Sequence, residues 1–160
     1  LLNKAYREIL IANGMNFNNL LAWVGGFSFF AFLSTLIREI IKDIEDFEGD
    51  SAYGRSTMPV LLGIRFTKIV VVILILAIIT SLIYVYVRFL YYNPGGEPDL
   101  ISLGWFTLFL ILPFLYLLYR LLAAREKKDY HVCSNITKLI MLAGIMYSIP
   151  VYFIIHRYIS

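Results

Sequence analysis

The chain has 160 residues, of which 60% are hydrophobic and 16% charged, with a formal charge of +3 and a single cysteine. A water-soluble domain carries about 25% charged residues, so this composition excludes one. One thiol excludes an internal disulfide and a cysteine-based metal cluster, and the positive charge follows membrane flanks, so no nucleic-acid partner is expected.

The chain starts Leu1-Leu2-Asn3-Lys4 without an initiator Met or a signal peptide, and reads as cut from a longer protein. Four runs then lack Asp, Glu, Lys and Arg: 20–37, 69–87, 100–119 and 139–155. Each approaches the roughly 20 residues that cross a hydrocarbon core. They predict an all-α, polytopic membrane protein with one membrane domain over 1–160 and transmembrane helices at about 18–47, 66–91, 100–122 and 135–157. Pro113 predicts a kink in the third. Residues 91–99, with two Pro and two Gly, read as an exposed turn.

Basic residues set the expected topology. Arg38, Lys42, Arg55, Arg65 and Lys68 flank the first connection, and Arg120, Arg125, Lys127, Lys128 and Lys138 the third. The other connection and the termini carry only Lys4, Arg7, Arg88 and Arg157. The first and third connections should therefore face the cytoplasm of a cell or inner membrane. The glycosylation pattern Asn135-Ile136-Thr137 falls on that face and is discarded. The stretch from Arg125 to His131 reads as an orienting loop, and His131 and His156 as isolated histidines without metal spacing. Cys133 reads as an inert, partly buried thiol.

Six of the eleven acidic residues lie between Glu39 and Asp50, at the end of the first apolar run. That helix should continue to about Phe47 or Glu48, with Gly49 and Gly54 favouring a stop. Helical spacing puts Glu39, Asp43, Asp46 and Asp50 on one stripe and Arg38, Lys42 and Asp46 on another. Carboxylates at this density repel one another, and a hard divalent cation is their natural partner. Magnesium uses one or two carboxylates, several waters and phosphate oxygens, and adjacent Lys and Arg contact the same phosphates. The pattern suits a diphosphate substrate. The plainer reading is a solvated helix end with weak salt bridges. Thr57, before Met58-Pro59, reads as the cap of a short interfacial helix. Arg55 reads equally as a phosphate contact or a lipid-headgroup anchor.

The run from Arg38 through Asp50, followed by Ala52-Tyr53-Gly54-Arg55-Ser56-Thr57-Met58-Pro59-Val60 and Gly63, closely resembles the second aspartate-rich motif of the UbiA-type membrane prenyltransferases. The resemblance implies nine transmembrane helices around a cavity, with two aspartate-rich motifs facing each other and holding Mg2+ ions that bind an isoprenyl diphosphate. Asp46 and Asp50 match its Asp-x-x-x-Asp core, Asp43 the preceding aspartate, and Lys42 the lysine one turn earlier. Arg38 stands where many members have tyrosine, which favours an additional phosphate contact. The implied catalytic residues are Lys42, Asp46 and Asp50, the implied metal ligands Asp43, Asp46 and Asp50, and the implied substrate contacts Arg38, Lys42 and Arg55. The family's first motif has no match here, so the chain reads as the C-terminal part of the bundle, inactive alone. The implied partners are an isoprenyl diphosphate, a lipophilic acceptor and membrane lipids. The motif wording is most like members that prenylate geranylgeranylglycerol phosphate for ether lipids, and is similar also to members acting on aromatic quinone precursors.

Three other classes compete. An alcohol phosphatidyltransferase requires Asp-Gly-x-x-Ala-Arg, which this segment lacks. A cation channel or carrier predicts polar residues within the spans, where only mild ones such as Ser34, Thr80 and Ser148 occur. A non-catalytic membrane scaffold predicts no magnesium-dependent binding of isoprenyl diphosphate. Aromatics such as Phe27, Phe30, Trp105 and Phe106 are read as packing or lipid contacts rather than site residues.

Overall fold

The structure, a computed structural model, describes residues 17–91 and 99–151. The N-terminal Lys4 and Arg7, most of the turn expected at 91–99, and the end of the fourth helix with His156 and Arg157 lie outside the described residues. Every regular element among those described is helical. They are α1 (Phe17–Glu45), α2 (Phe47–Ala52), α3 (Met58–Leu62), α4 (Ile64–Val85), α5 (Leu100–Trp105), α6 (Leu112–Ala123) and α7 (Lys127–Met146). A π-helical segment, Tyr86–Tyr91, extends α4, and another, Phe106–Ile111, joins α5 to α6. Four spans are long and apolar enough to cross a membrane: Val24–Glu45, Ile64–Arg88, Leu100–Ala123 and Lys127–Val151.

Each span buries one stripe at helical spacing. It is Leu33, Ile37, Ile40, Ile41 and Ile44 on α1, and Val71, Ile75, Ile78 and Leu82 on α4. The third span contributes Phe106, Leu110, Phe114, Leu117 and Leu121. The opposite faces are apolar too: Phe32, Ile73, Leu108 and Ile145 are exposed. A helix that is apolar all round belongs in lipid or among other helices. Lipid is as apolar as leucine, so close packing rather than hydrophobic burial holds such helices together. Small and hydroxyl-bearing side chains fill the seams accordingly: Ser34, Thr67, Ser134 and Thr137 are buried. Thr67 Oγ1 donates to the Gly63 carbonyl and Thr137 Oγ1 to that of Cys133, both at 2.9 Å, so neither hydroxyl is stranded. The Asn135-Ile136-Thr137 pattern thus lies within a helix, its threonine in the core. Between α1 and α7, the most extensive helix pair, a Cβ on Gly144 would stand 2.1 Å from the Phe30 ring.

The third span answers its proline with a π-helical segment. Pro113 has no N–H for the turn before it, and Phe106–Ile111 widens that turn immediately upstream. The fourth helix begins at Lys127 rather than at 135. Its start is set by a reciprocal capping box between Glu126 and Asp129, whose Oδ2 accepts from the Arg125 and Glu126 backbone N–H groups at 3.0 and 3.1 Å. Charge-free runs mark only the hydrocarbon portion of a helix; capping sets where the helix begins.

Thr57 does occupy the position before α3, but its side chain makes no cap bond, and its buried hydroxyl has no partner among the described residues. Two glycines turn the chain here with positive φ, Gly54 at 68° and Gly63 at 82°. Gly63 combines that φ with ψ 152°, a region reserved for glycine, and so reverses the chain between α3 and α4. Nothing lies within 4 Å of a Cβ built there, so the cost of a side chain is purely that of the backbone. Gly63→Ala is expected to cost about 1–3 kcal/mol, read as a lowered melting temperature in detergent. An unchanged melt would show that the turn relaxes freely.

Candidate functional site

The acidic segment forms because α1 does not stop where its membrane span does. Asp46, at φ −94° and ψ 7°, lies between α1 and α2. It bends the helix without breaking its ladder: Asp46 N–H donates to the Lys42 carbonyl at 2.9 Å, and Asp50 N–H to that of Asp46 at 3.0 Å. The helix was expected to run unbroken to Phe47 or Glu48; instead it passes through this bend and ends at Ala52. Asp46 and Asp50 therefore remain one turn apart. Asp43 is within electrostatic reach of Glu39, Asp46, Asp50 and Lys42.

The predicted site residues fall at one end of the bundle in graded exposure. Asp50 is buried, at 7% exposure, and its Oδ1 is 3.4 Å from Nη1 of Arg55, whose side chain is 73% exposed. The Arg55 backbone N–H donates to the Asp50 carbonyl at 2.9 Å, so the turn itself holds the pair. Arg38 is half-buried and turns to its neighbour Glu39 rather than along its row to Asp46. Lys42 is exposed and, among the described residues, forms no ion pair, which leaves its ammonium open to an anion.

Two partners come from α7, across 81 and 86 positions of sequence. Lys127 Nζ lies 3.5 Å from Asp46 Oδ1. His131 Nδ1 lies 2.9 Å from Oε1 of Glu45, a side chain 15% exposed. Lys127 and His131 are four apart and share a helix face. The stretch read as an orienting loop is thus the cap and start of α7, bound to the acidic segment, and His131 has a carboxylate partner. Lys68 closes the same end: its Nζ donates to the Ala124 carbonyl at 2.5 Å and sits 5.2 Å from the centre of the Tyr130 ring. That ammonium complements the C-terminus of α6. The available sequence signal was the pairing of Lys127 and His131 at i, i+4 behind an acidic cap.

Among the described residues, no three His, Cys, Asp or Glu side chains converge as a ready-made ligand set. A magnesium site asks for less, since one or two carboxylates suffice when phosphate and water supply the other oxygens. The donors here are hard carboxylate oxygens, they carry excess negative charge, and Asp46 and Lys42 are open to solvent. The residues present fit a divalent cation carrying a phosphate ester.

A separate small, partly open cavity of about 90 Å3 is lined in part by Phe27, Phe30, Phe106 and Tyr147. Tyr147 OH is 2.5 Å from Ser102 Oγ, which donates to Asp99 Oδ2 at 2.6 Å. On α1 it sits roughly 24–30 Å from Asp46 by helical rise. Its volume is well below the roughly 300 Å3 of an ordinary ligand pocket.

A family model described as the UbiA prenyltransferase family matches residues 9–149. The chain is similar to the digeranylgeranylglyceryl phosphate synthase of Methanosphaera stadtmanae, 36% identical over 118 residues that cover 71% of this chain and 39% of that protein. The synthase of the same name from Methanopyrus kandleri is 34% identical over 120 residues, 72% of this chain and 39% of that protein. The one from Methanobrevibacter smithii is 44% identical over 61 residues, 37% of this chain and 22% of that protein. The chain thus spans about two-fifths or less of the length of these relatives. No solved structure is a significant match.

Proposed function

The chain belongs to the UbiA prenyltransferase family, and from that membership we propose that it serves an integral membrane enzyme moving an isoprenyl group from its diphosphate to a lipophilic acceptor. The acceptor in this reading is geranylgeranylglycerol phosphate, because the relatives are named for making digeranylgeranylglyceryl phosphate. The carrying observation is local. Asp46 and Asp50 stand one helical turn apart at a membrane-helix end, with Lys42, which forms no ion pair among the described residues, one turn before Asp46.

Asp43, Asp46 and Asp50 would hold Mg2+, which when bound neutralises negative charge on the departing diphosphate. Lys42 and Arg55 bind phosphate oxygens and orient the diphosphate, and Arg38 joins them on leaving Glu39. The allylic C–O bond breaks with its electron pair going to the diphosphate. The acceptor oxygen supplies the electrons of the new C–O bond and gives its proton to the departing diphosphate. The apolar spans keep water from the allylic cation. The reading places the acidic end at the cytoplasm, from the ten-to-four distribution of basic residues.

In the full-length protein, chelation with EDTA is expected to weaken geranylgeranyl diphosphate binding at least about tenfold, and added Mg2+ to restore it. Equal binding with and without chelator, measured by equilibrium dialysis, would remove the metal from the proposal.

A further inference from the structure

We propose that Lys127 is a placeholder cation on Asp46 and a positioning residue for the diphosphate: it neutralises Asp46 until metal arrives, then moves its ammonium onto phosphate oxygen. The inference rests on Asp46 being a metal ligand, and it adds a residue from a different helix to the site.

Asp46 lies within electrostatic reach of the Asp43 carboxylate, and its close cation is Lys127, Nζ to Oδ1 3.5 Å. The two side chains are 46% and 65% exposed, so the pair is solvated and easily broken. The contact one turn further along α7 is different. His131 meets the half-buried Glu45 at 2.9 Å, and the capping box of Glu126 and Asp129 fixes the start of the helix. The backbone at Lys127 is thus held against the acidic segment while its four-carbon stem is free to swing. A divalent cation on Asp46 repels an ammonium at this spacing, so the two cannot share one carboxylate comfortably. A diphosphate between them reverses the sign of that interaction. The displaced ammonium would then take a phosphate oxygen as its partner, and lysine's rotatable donors suit such a transfer.

The sign of the effect separates this role from a structural one. In the full-length protein, Lys127→Ala is expected to tighten Mn2+ binding about two- to fivefold without diphosphate, followed by the spin-resonance signal of free Mn2+. In saturating Mn2+ the same variant should bind inorganic pyrophosphate about tenfold more weakly. Lys127→Gln, which keeps the side-chain length, should repeat both shifts, and Lys127→Arg should recover pyrophosphate binding. Lys128→Ala, next along the chain, should change neither. Mn2+ affinity that is unchanged or weakened in both Lys127→Ala and Lys127→Gln overturns the placeholder role. If that happens while Asp46→Ala still abolishes Mn2+ binding, the metal site stands and only the role of Lys127 falls. If Asp46→Ala leaves Mn2+ binding intact, the underlying metal assignment fails, and this inference with it.

Discussion

Asp46→Ala in the full-length protein is expected to lower kcat/KM for isoprenyl diphosphate by about 100- to 1,000-fold, with the fold intact. The two halves of that expectation have separate causes. Asp46 caps no helix through its side chain, is nearly half exposed, and has one ion-pair partner among the described residues, Lys127. An exposed pair of this kind contributes about 0–1 kcal/mol, so the melting temperature should move little. The carboxylate nonetheless sits at the bend where α1 meets α2, one turn from both Lys42 and Asp50. Losing it removes charge stabilisation where diphosphate charge develops. Steady-state turnover with radiolabelled geranylgeranyl diphosphate, alongside thermal melting, measures both halves. Full turnover in this variant would end the assignment of the acidic segment as the reacting site.

Asp50→Asn should produce a loss of about the same size by removing charge without removing shape. Asp50 is the most buried of the predicted ligands, so truncation to alanine would confound packing with chemistry. Asparagine keeps the volume and an oxygen to accept from Arg55, while losing the anionic donor a hard cation prefers. Turnover is expected to fall at least about 100-fold and the melting temperature to shift only slightly. A variant that keeps wild-type turnover would show that Asp50 serves Arg55 and the turn at Gly54 rather than a metal.

The acidic segment was legible because its information is local. Asp43, Asp46 and Asp50, with Lys42 one turn before the pair, are placed by the 3.6-residue period alone, and the backbone bonds at Asp46 preserve that period through the bend. The start of α7 was less legible. Lys127, Lys128 and Asp129 resemble a charged loop when judged by hydropathy, yet they form a capped helical turn. Helical spacing puts Arg38 in a row with Lys42 and Asp46, while its guanidinium takes the adjacent Glu39, a choice of rotamer that spacing does not determine.

Four apolar spans, their all-helical character and the carboxylate stripe at the end of the first were determined by the sequence itself, since each depends on transfer to lipid or on neighbours within two helical turns. Only the tertiary structure decided that Lys127 and His131 meet Asp46 and Glu45, and that Lys68 closes the end of α6. Those contacts join residues more than fifty positions apart. They depend on how closely the helices approach, which small side chains such as Gly144 between α1 and α7 permit, and no local periodicity records that distance.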